Sequence, residues 1–158
     1  IFNKLKTINS KIEFSSDFII GFPGEEEQDF KDTLDLIKKI KFINSYSFIF
    51  SPRPVTIAAD YKLIDKTISE KRLKKVQNLL FENQTNINKS YENKILNVLV
   101  ENLTKNRKQT FGRSQHMTSV IFDGQKEDLG KILPVRIKKT NRSTLFGYIV
   151  NKSDKKVA

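Results

Sequence analysis

The sequence predicts the α/β class in two parts, a parallel β/α segment over residues 1–88 followed by a small antiparallel β-barrel over residues 89–151. Two patterns and a charge step carry this. Up to residue 88, helical and strand-like stretches alternate and the apolar runs stop at glycine and proline. Beyond it, the apolar period shortens to two in five short stretches divided by polar turns. Charge changes at the same place: residues 1–88 hold 14 Lys/Arg against 12 Asp/Glu, whereas residues 89–158 hold 15 against 6.

Residues 1–8 read as the end of a helix. Ile12 to Ile20 reads as a strand, and its unbroken Phe18-Ile19-Ile20 suits a buried parallel sheet. Gly21, Pro23 and Gly24 end it. Glu25, Glu26, Glu27 and Asp29 then open a helix, where their charge complements the positive end of the helix dipole, and Phe30, Leu34, Ile37 and Ile40 share one face. Ser45 to Phe50 forms a second strand, ended by Pro52 and Pro54, and the strand–helix–strand order argues for parallel pairing through a crossover. Residues 51–68 read as irregular. Ser69 caps a long basic helix with apolar positions at Leu73, Val76, Leu79, Leu80 and Ile87, which links the two parts. Barrel strands are expected at 94–101, 109–114, 118–122, 132–138 and 144–150 in an OB-like arrangement, and residues 152–158 form a polar tail.

Composition removes several function classes. The 158 residues include no cysteine, which excludes disulfides, zinc–thiolate sites and iron–sulfur ligation by this chain. The one histidine, His116, is expected in a hairpin turn without a catalytic task, and no catalytic or metal-ligating residue is assigned. No apolar run approaches the roughly 20 residues that span a bilayer, so no membrane partner is expected. The chain opens on Ile1 with no visible secretory signal, and it reads as a cytoplasmic fragment.

The net charge of +11 favours a phosphate-rich partner, although lysine and asparagine usage also follows genome composition. Lys105, Arg107 and Lys108 gather in one turn, Arg113 follows a glycine, and Lys138, Lys139 and Arg142 gather in another turn. Such clusters suit a grip on an RNA backbone that leaves base reading to another part of the protein; solvated turns are the competing reading. Phe111, Phe122 and Phe146 alternate with polar residues, which favours core packing over base stacking.

Two loops stand out at the strand ends. Gly21-Phe22-Pro23-Gly24-Glu25 follows the first strand, and Ser51-Pro52-Arg53-Pro54 follows the second. Ligands of parallel α/β sheets bind at that edge, glycines allow close backbone approach, and the planar fork of Arg53 suits a carboxylate or phosphate. A plain strand-to-helix turn and a surface ion pair are the alternatives.

The succession from Ser16 to Glu25, then Asp29-Phe30 and Thr33-Leu34, then Phe48 to Pro54 and Ala58-Ala59, resembles the late part of the radical S-adenosylmethionine (radical SAM) barrel of the MiaB-type tRNA methylthiotransferases. Ser69-Glu70-Lys71-Arg72-Leu73 resembles the helix that leaves that barrel. Val98 to Glu101, Gly112-Arg113-Ser114 and Leu145-Phe146-Gly147 resemble the terminal TRAM domain of the same family, so the likeness covers residues 5 to 150.

The resemblance implies the end of a partial (β/α) radical SAM barrel with its linking helix, then an RNA-binding TRAM domain. It implies methylthio transfer to an isopentenylated adenosine beside the tRNA anticodon, with S-adenosylmethionine and two 4Fe-4S clusters as cofactors of the full-length family. Gly21 to Glu25 would line the S-adenosylmethionine pocket, with Ser51 and Arg53 close by. The cluster cysteines would precede Ile1, so the chain alone is expected to be inactive; a monomer is expected. Two departures bear on this: Val55-Thr56-Ile57 stands where relatives have Gly-Thr-Pro, and Glu26 where a Thr cap is usual. A Val at a glycine position must take an ordinary φ or accept strain. A stand-alone RNA-binding module and a degraded remnant remain the alternatives.

Overall fold

A computed structural model describes residues 1–105 and 108–150. The chain divides into two units, residues 1–83 and the part from residue 84 onward. The first holds helix α1 (Phe2–Ile8), strand β1 (Asp17–Ile20), helix α2 (Glu27–Ile40), strand β2 (Tyr46–Ile49) and most of helix α3 (Lys66–Ser90). As the strand–helix–strand order requires, β1 and β2 pair in parallel, Phe18 opposite Ser47 and Ile20 opposite Ile49.

One face of this two-stranded sheet supplies the core. Phe18 and Ile20 pack with Phe30 and Ile37 of α2, with Phe42, and with Val76 and Leu80 of α3. Phe2, Phe14 and Phe18 close the edge through edge-to-face ring contacts, Phe2 with Phe14 at 4.9 Å and Phe18 with Phe42 at 5.3 Å. The opposite face carries Ile19, Tyr46 and Phe48, which are 58%, 65% and 56% exposed. The expectation that the whole Phe18-Ile19-Ile20 run is buried is therefore corrected: a single helical layer covers alternate residues only.

Two boundaries also differ from the sequence reading. Strand β1 starts at Asp17 instead of Ile12, because Asn44 (φ 48°) interrupts its neighbour and residues 14–16 meet 43–45 through irregular bonds, among them Ile43 N–H to the Phe14 carbonyl at 2.8 Å. Helix α3 starts at Lys66, before Ser69. The Asp65 carboxylate accepts from the Thr67 and Ile68 backbone N–H groups at 2.8 and 3.3 Å, and from the Thr67 hydroxyl, so Asp65 performs the capping assigned to Ser69. At α2, the Glu26 N–H donates to the Asp29 carboxylate at 2.8 Å, so a departure from the usual Thr still leaves the helix start satisfied. Val55 takes φ 69° with its side chain fully exposed, so the loop adopts the strained alternative.

The second unit is a closed five-stranded barrel. Strands β3 (Ile95–Leu103), β4 (Thr110–Ser114), β5 (Ser119–Asp123), β6 (Ile132–Thr140) and β7 (Thr144–Ile149) are ordered β3-β4-β5-β7-β6, and β6 closes on β3. The expected all-antiparallel pairing is corrected at one place. Strands β5 and β7 pair in parallel, because the connection through 124–131 and β6 returns the chain to the starting end of β5. Leu96, Val98, Val100, Val120, Phe122, Val135, Ile137 and Leu145 fill the interior. Gly112 and Gly147 permit the curvature, since a Cβ there would fall 2.3 Å from the Leu99 carbonyl oxygen and 2.2 Å from that of Arg136.

Candidate functional site

Strands that run in parallel end on the same side, so the loops after β1 and β2 emerge together at one sheet edge. The Phe50 N–H donates to the Ile20 carbonyl at 2.8 Å, and the Phe22 and Phe50 rings meet edge to face at 4.9 Å. The structure thereby brings the Gly21–Glu25 loop to the Ser51 and Arg53 loop. Phe22, Gly24, Ser51 and Arg53 are exposed, whereas Gly21 and Pro23 are buried. Gly24 adopts φ 89° with open space where a side chain would stand, which leaves its backbone approachable.

Glu25 faces inward. Its carboxylate accepts from the Gly21 N–H at 2.8 Å and from Arg72 Nη1 at 2.7 Å. Arg72 also donates to the Glu25 carbonyl and to the Glu27 carboxylate, both at 3.1 Å, and its guanidinium lies 5.2 Å from the Phe30 ring centre. The Arg72 and Glu25 side chains are only 10% and 11% exposed, so the pair acts where water screens little. One turn earlier on α3, Ser69 fills the space over Gly21, and a Cβ on Gly21 (φ 71°) would lie 2.5 Å from the Ser69 hydroxyl. Two stretches that the sequence offers separately, GFPGE and SEKRL, are therefore one interlocked unit. The sequence held only a weak signal of it, a Ser and an Arg three apart on one helix face with an acidic run waiting at a strand end.

The barrel's cations do not all converge on one patch. Lys105 and Lys108 are exposed in the β3–β4 turn; Arg107 lies outside the described residues. Arg142 lies in the β6–β7 turn, which the strand directions put at the opposite end of the barrel. Lys138 and Lys139 belong to strand β6, which corrects their placement in a turn. Arg113 projects outward from β4, 3.4 Å from the Glu101 carboxylate. Phe122 is fully buried in the core as expected, but Phe111 and Phe146 point outward and stay partly exposed. His116 occupies the β4–β5 turn and stacks on Tyr91 at 5.5 Å.

No group of three or more His, Cys, Asp or Glu that could hold a metal ion occurs among the described residues. Likewise no helix among them is long and apolar enough to cross a membrane.

Comparison with known proteins agrees with the motifs. Residues 89–150 match the family model of the TRAM domain. All 158 residues align at 59% identity with the tRNA-2-methylthio-N(6)-dimethylallyladenosine synthase of Pelagibacter ubique (strain HTCC1062), covering 35% of that protein. Synthases of the same name from Ruthia magnifica subsp. Calyptogena magnifica and Bartonella henselae are 42% and 35% identical over 93% and 96% of this chain, and 33% of each is covered. The chain spans about a third of the length of the curated relatives it matches. Residues 89–150 thus match the TRAM domain family, within a chain whose whole length is similar to a segment of the tRNA methylthiotransferases.

Proposed function

We propose that this chain is a segment of an enzyme that makes 2-methylthio-N6-dimethylallyladenosine in tRNA, with residues 1–83 forming one wall of the radical SAM catalytic barrel and the TRAM barrel holding the tRNA. The observation that carries this reading is identity over the full 158 residues, spanning both units, to a synthase of that modification. Two structural features support it. The exposed Ile19, Tyr46 and Phe48 face is what a strand pair of a larger barrel presents to the barrel's interior. Both strand-end loops also stand at the edge where such barrels bind ligands.

Toward S-adenosylmethionine the fit is favourable. Phe22, the open backbone at Gly24, Ser51 and the exposed Arg53 would border it, Arg53 suiting its carboxylate, while Gly21, Pro23 and Glu25 fix the loop's shape from within. Bound there, S-adenosylmethionine supplies radical and methyl chemistry. Toward iron–sulfur clusters the fit fails, since this chain has no thiolate to offer, and no step is assigned to its residues through them. On the barrel, Lys105, Arg107, Lys108, Arg113, Lys138, Lys139 and Arg142 would meet tRNA phosphates. The cellular setting is then the cytoplasm and the working form a monomer.

A chimera tests this. The corresponding third of the Pelagibacter synthase is replaced with these 158 residues, and tRNA nucleosides are read by mass spectrometry in cells lacking the modification. The methylthiolated nucleoside is expected. Its absence from a chimera that folds and loads both clusters would refute the reading.

A further inference from the structure

Across the outside of the barrel, ladder partners on β4, β5, β7 and β6 align as Phe111, Ile121, Phe146 and Lys139. Side chains along a strand alternate between faces, so Arg113 on β4 and Tyr148 on β7 share this outer face, about 6.8 Å along their strands from Phe111 and Phe146. The interior positions between them belong to Gly112, Val120, Phe122, Leu145 and Gly147. Cations attend the rings: the Arg113 guanidinium lies 5.8 Å from the Phe111 ring centre, and Lys138 Nζ lies 4.8 Å from that of Tyr148. The barrel core is filled without these rings. They stand partly exposed on the one face that also gathers Arg113, Lys138 and Lys139.

We infer that this outward row is a stacking surface for the unpaired nucleobases of an RNA strand, with Phe111 and Phe146 each receiving a base while Arg113, Lys138 and Lys139 meet the flanking phosphates. Every base presents a π-face, so aromatic platforms hold single strands with little regard to sequence, and neighbouring cations add the electrostatic part. Paired RNA hides those faces inside the helix stack and offers the rings nothing. The inference rests on the RNA-binding reading above and deepens it, by specifying unpaired nucleotides and the rings that contact them.

The test uses the full chain with three probes of equal length: an anticodon-type stem–loop RNA, an unstructured RNA carrying 2-aminopurine, and a blunt RNA duplex. Affinity is measured by fluorescence anisotropy over a series of salt concentrations. Wild-type protein is expected to change the 2-aminopurine emission through stacking and to prefer both unpaired probes to the duplex. Phe111→Leu and Phe146→Leu keep apolar bulk without a π-face, and each is expected to weaken unpaired RNA about fivefold or more with the salt slope unchanged. Phe146→Tyr restores the ring and is expected to bind as wild type. Lys139→Gln is expected to flatten the salt slope by about 0.7, as one lost phosphate contact requires on a single strand. Duplex preference, unchanged 2-aminopurine emission on binding, or undiminished affinity in both Leu variants would overturn the stacking surface while leaving RNA binding intact. No binding of any probe would overturn both readings.

Discussion

The two units deal with strand edges in opposite ways. Every barrel strand has a ladder partner on each side, so no row of backbone donors and acceptors is left open. Strands β1 and β2 pair only with each other among the described residues, which leaves two outer edges and an apolar face bearing Ile19, Tyr46 and Phe48. A two-stranded sheet is marginal by itself in water. Its order comes from the helices on one face and from particular contacts such as Arg72 with Glu25. Stability in the barrel is spread over five ladders, whereas in the first unit it is concentrated in a few side chains.

The largest expected effect tests whether the barrel stands on its own core. Phe122 is fully buried there, and Phe122→Ala should cost about 3–5 kcal/mol, read as faster amide exchange across β3 to β7. Exchange in β1, α2 and β2 should stay as it was; equal acceleration there would break the division into two units.

Arg72→Met tests the concentrated kind of stability. It leaves the Glu25 carboxylate buried without its cation, at a cost of about 3 kcal/mol. Exchange should rise in the 21–25 loop and the first turns of α3, and adding Glu25→Gln should recover most of the loss. Arg72→Met with unchanged exchange at Gly21 and Glu25 would show that the loop is held by other means.

The smallest effect lies at the start of α3. The Asp65 carboxyl is held below its ordinary value, first by the Thr67 hydroxyl and then by the Ile68 and Thr67 backbone N–H groups. Its folded value is the lower one, so its contribution is complete above the ordinary carboxylate range and is lost as pH falls through the depressed value. Helicity followed by circular dichroism during acid titration should therefore show a low-pH step that Asp65→Asn removes. Identical titrations of the two proteins would exclude this role for Asp65.

Much of both units was legible because periodicity and punctuation coincide. The alternation of Leu96, Val98 and Val100, and the acidic start of α2 before Phe30 and Ile37, each follow from local spacing. The limits of β1 were not legible: an apolar run becomes a strand only where a partner lies alongside, and that partner begins only at Tyr46, after Asn44 in its left-handed conformation. Phe111 and Phe146 show the same limit within the barrel. Period two states that neighbours face opposite ways, but which set faces inward is decided by the register against β5 and by the closure of β6 on β3.

The sequence by itself determined the element types, the change from helix–strand alternation to a barrel, the position of the basic excess and the two loops at strand ends, because each depends on residues close together in the chain. Tertiary structure alone decided that Arg72 locks Glu25 onto α3, that Lys105 and Arg142 lie at opposite ends of the barrel, and that two phenylalanines face outward. Those facts depend on pairings across up to 47 residues of separation, and local propensity carries no information about such contacts.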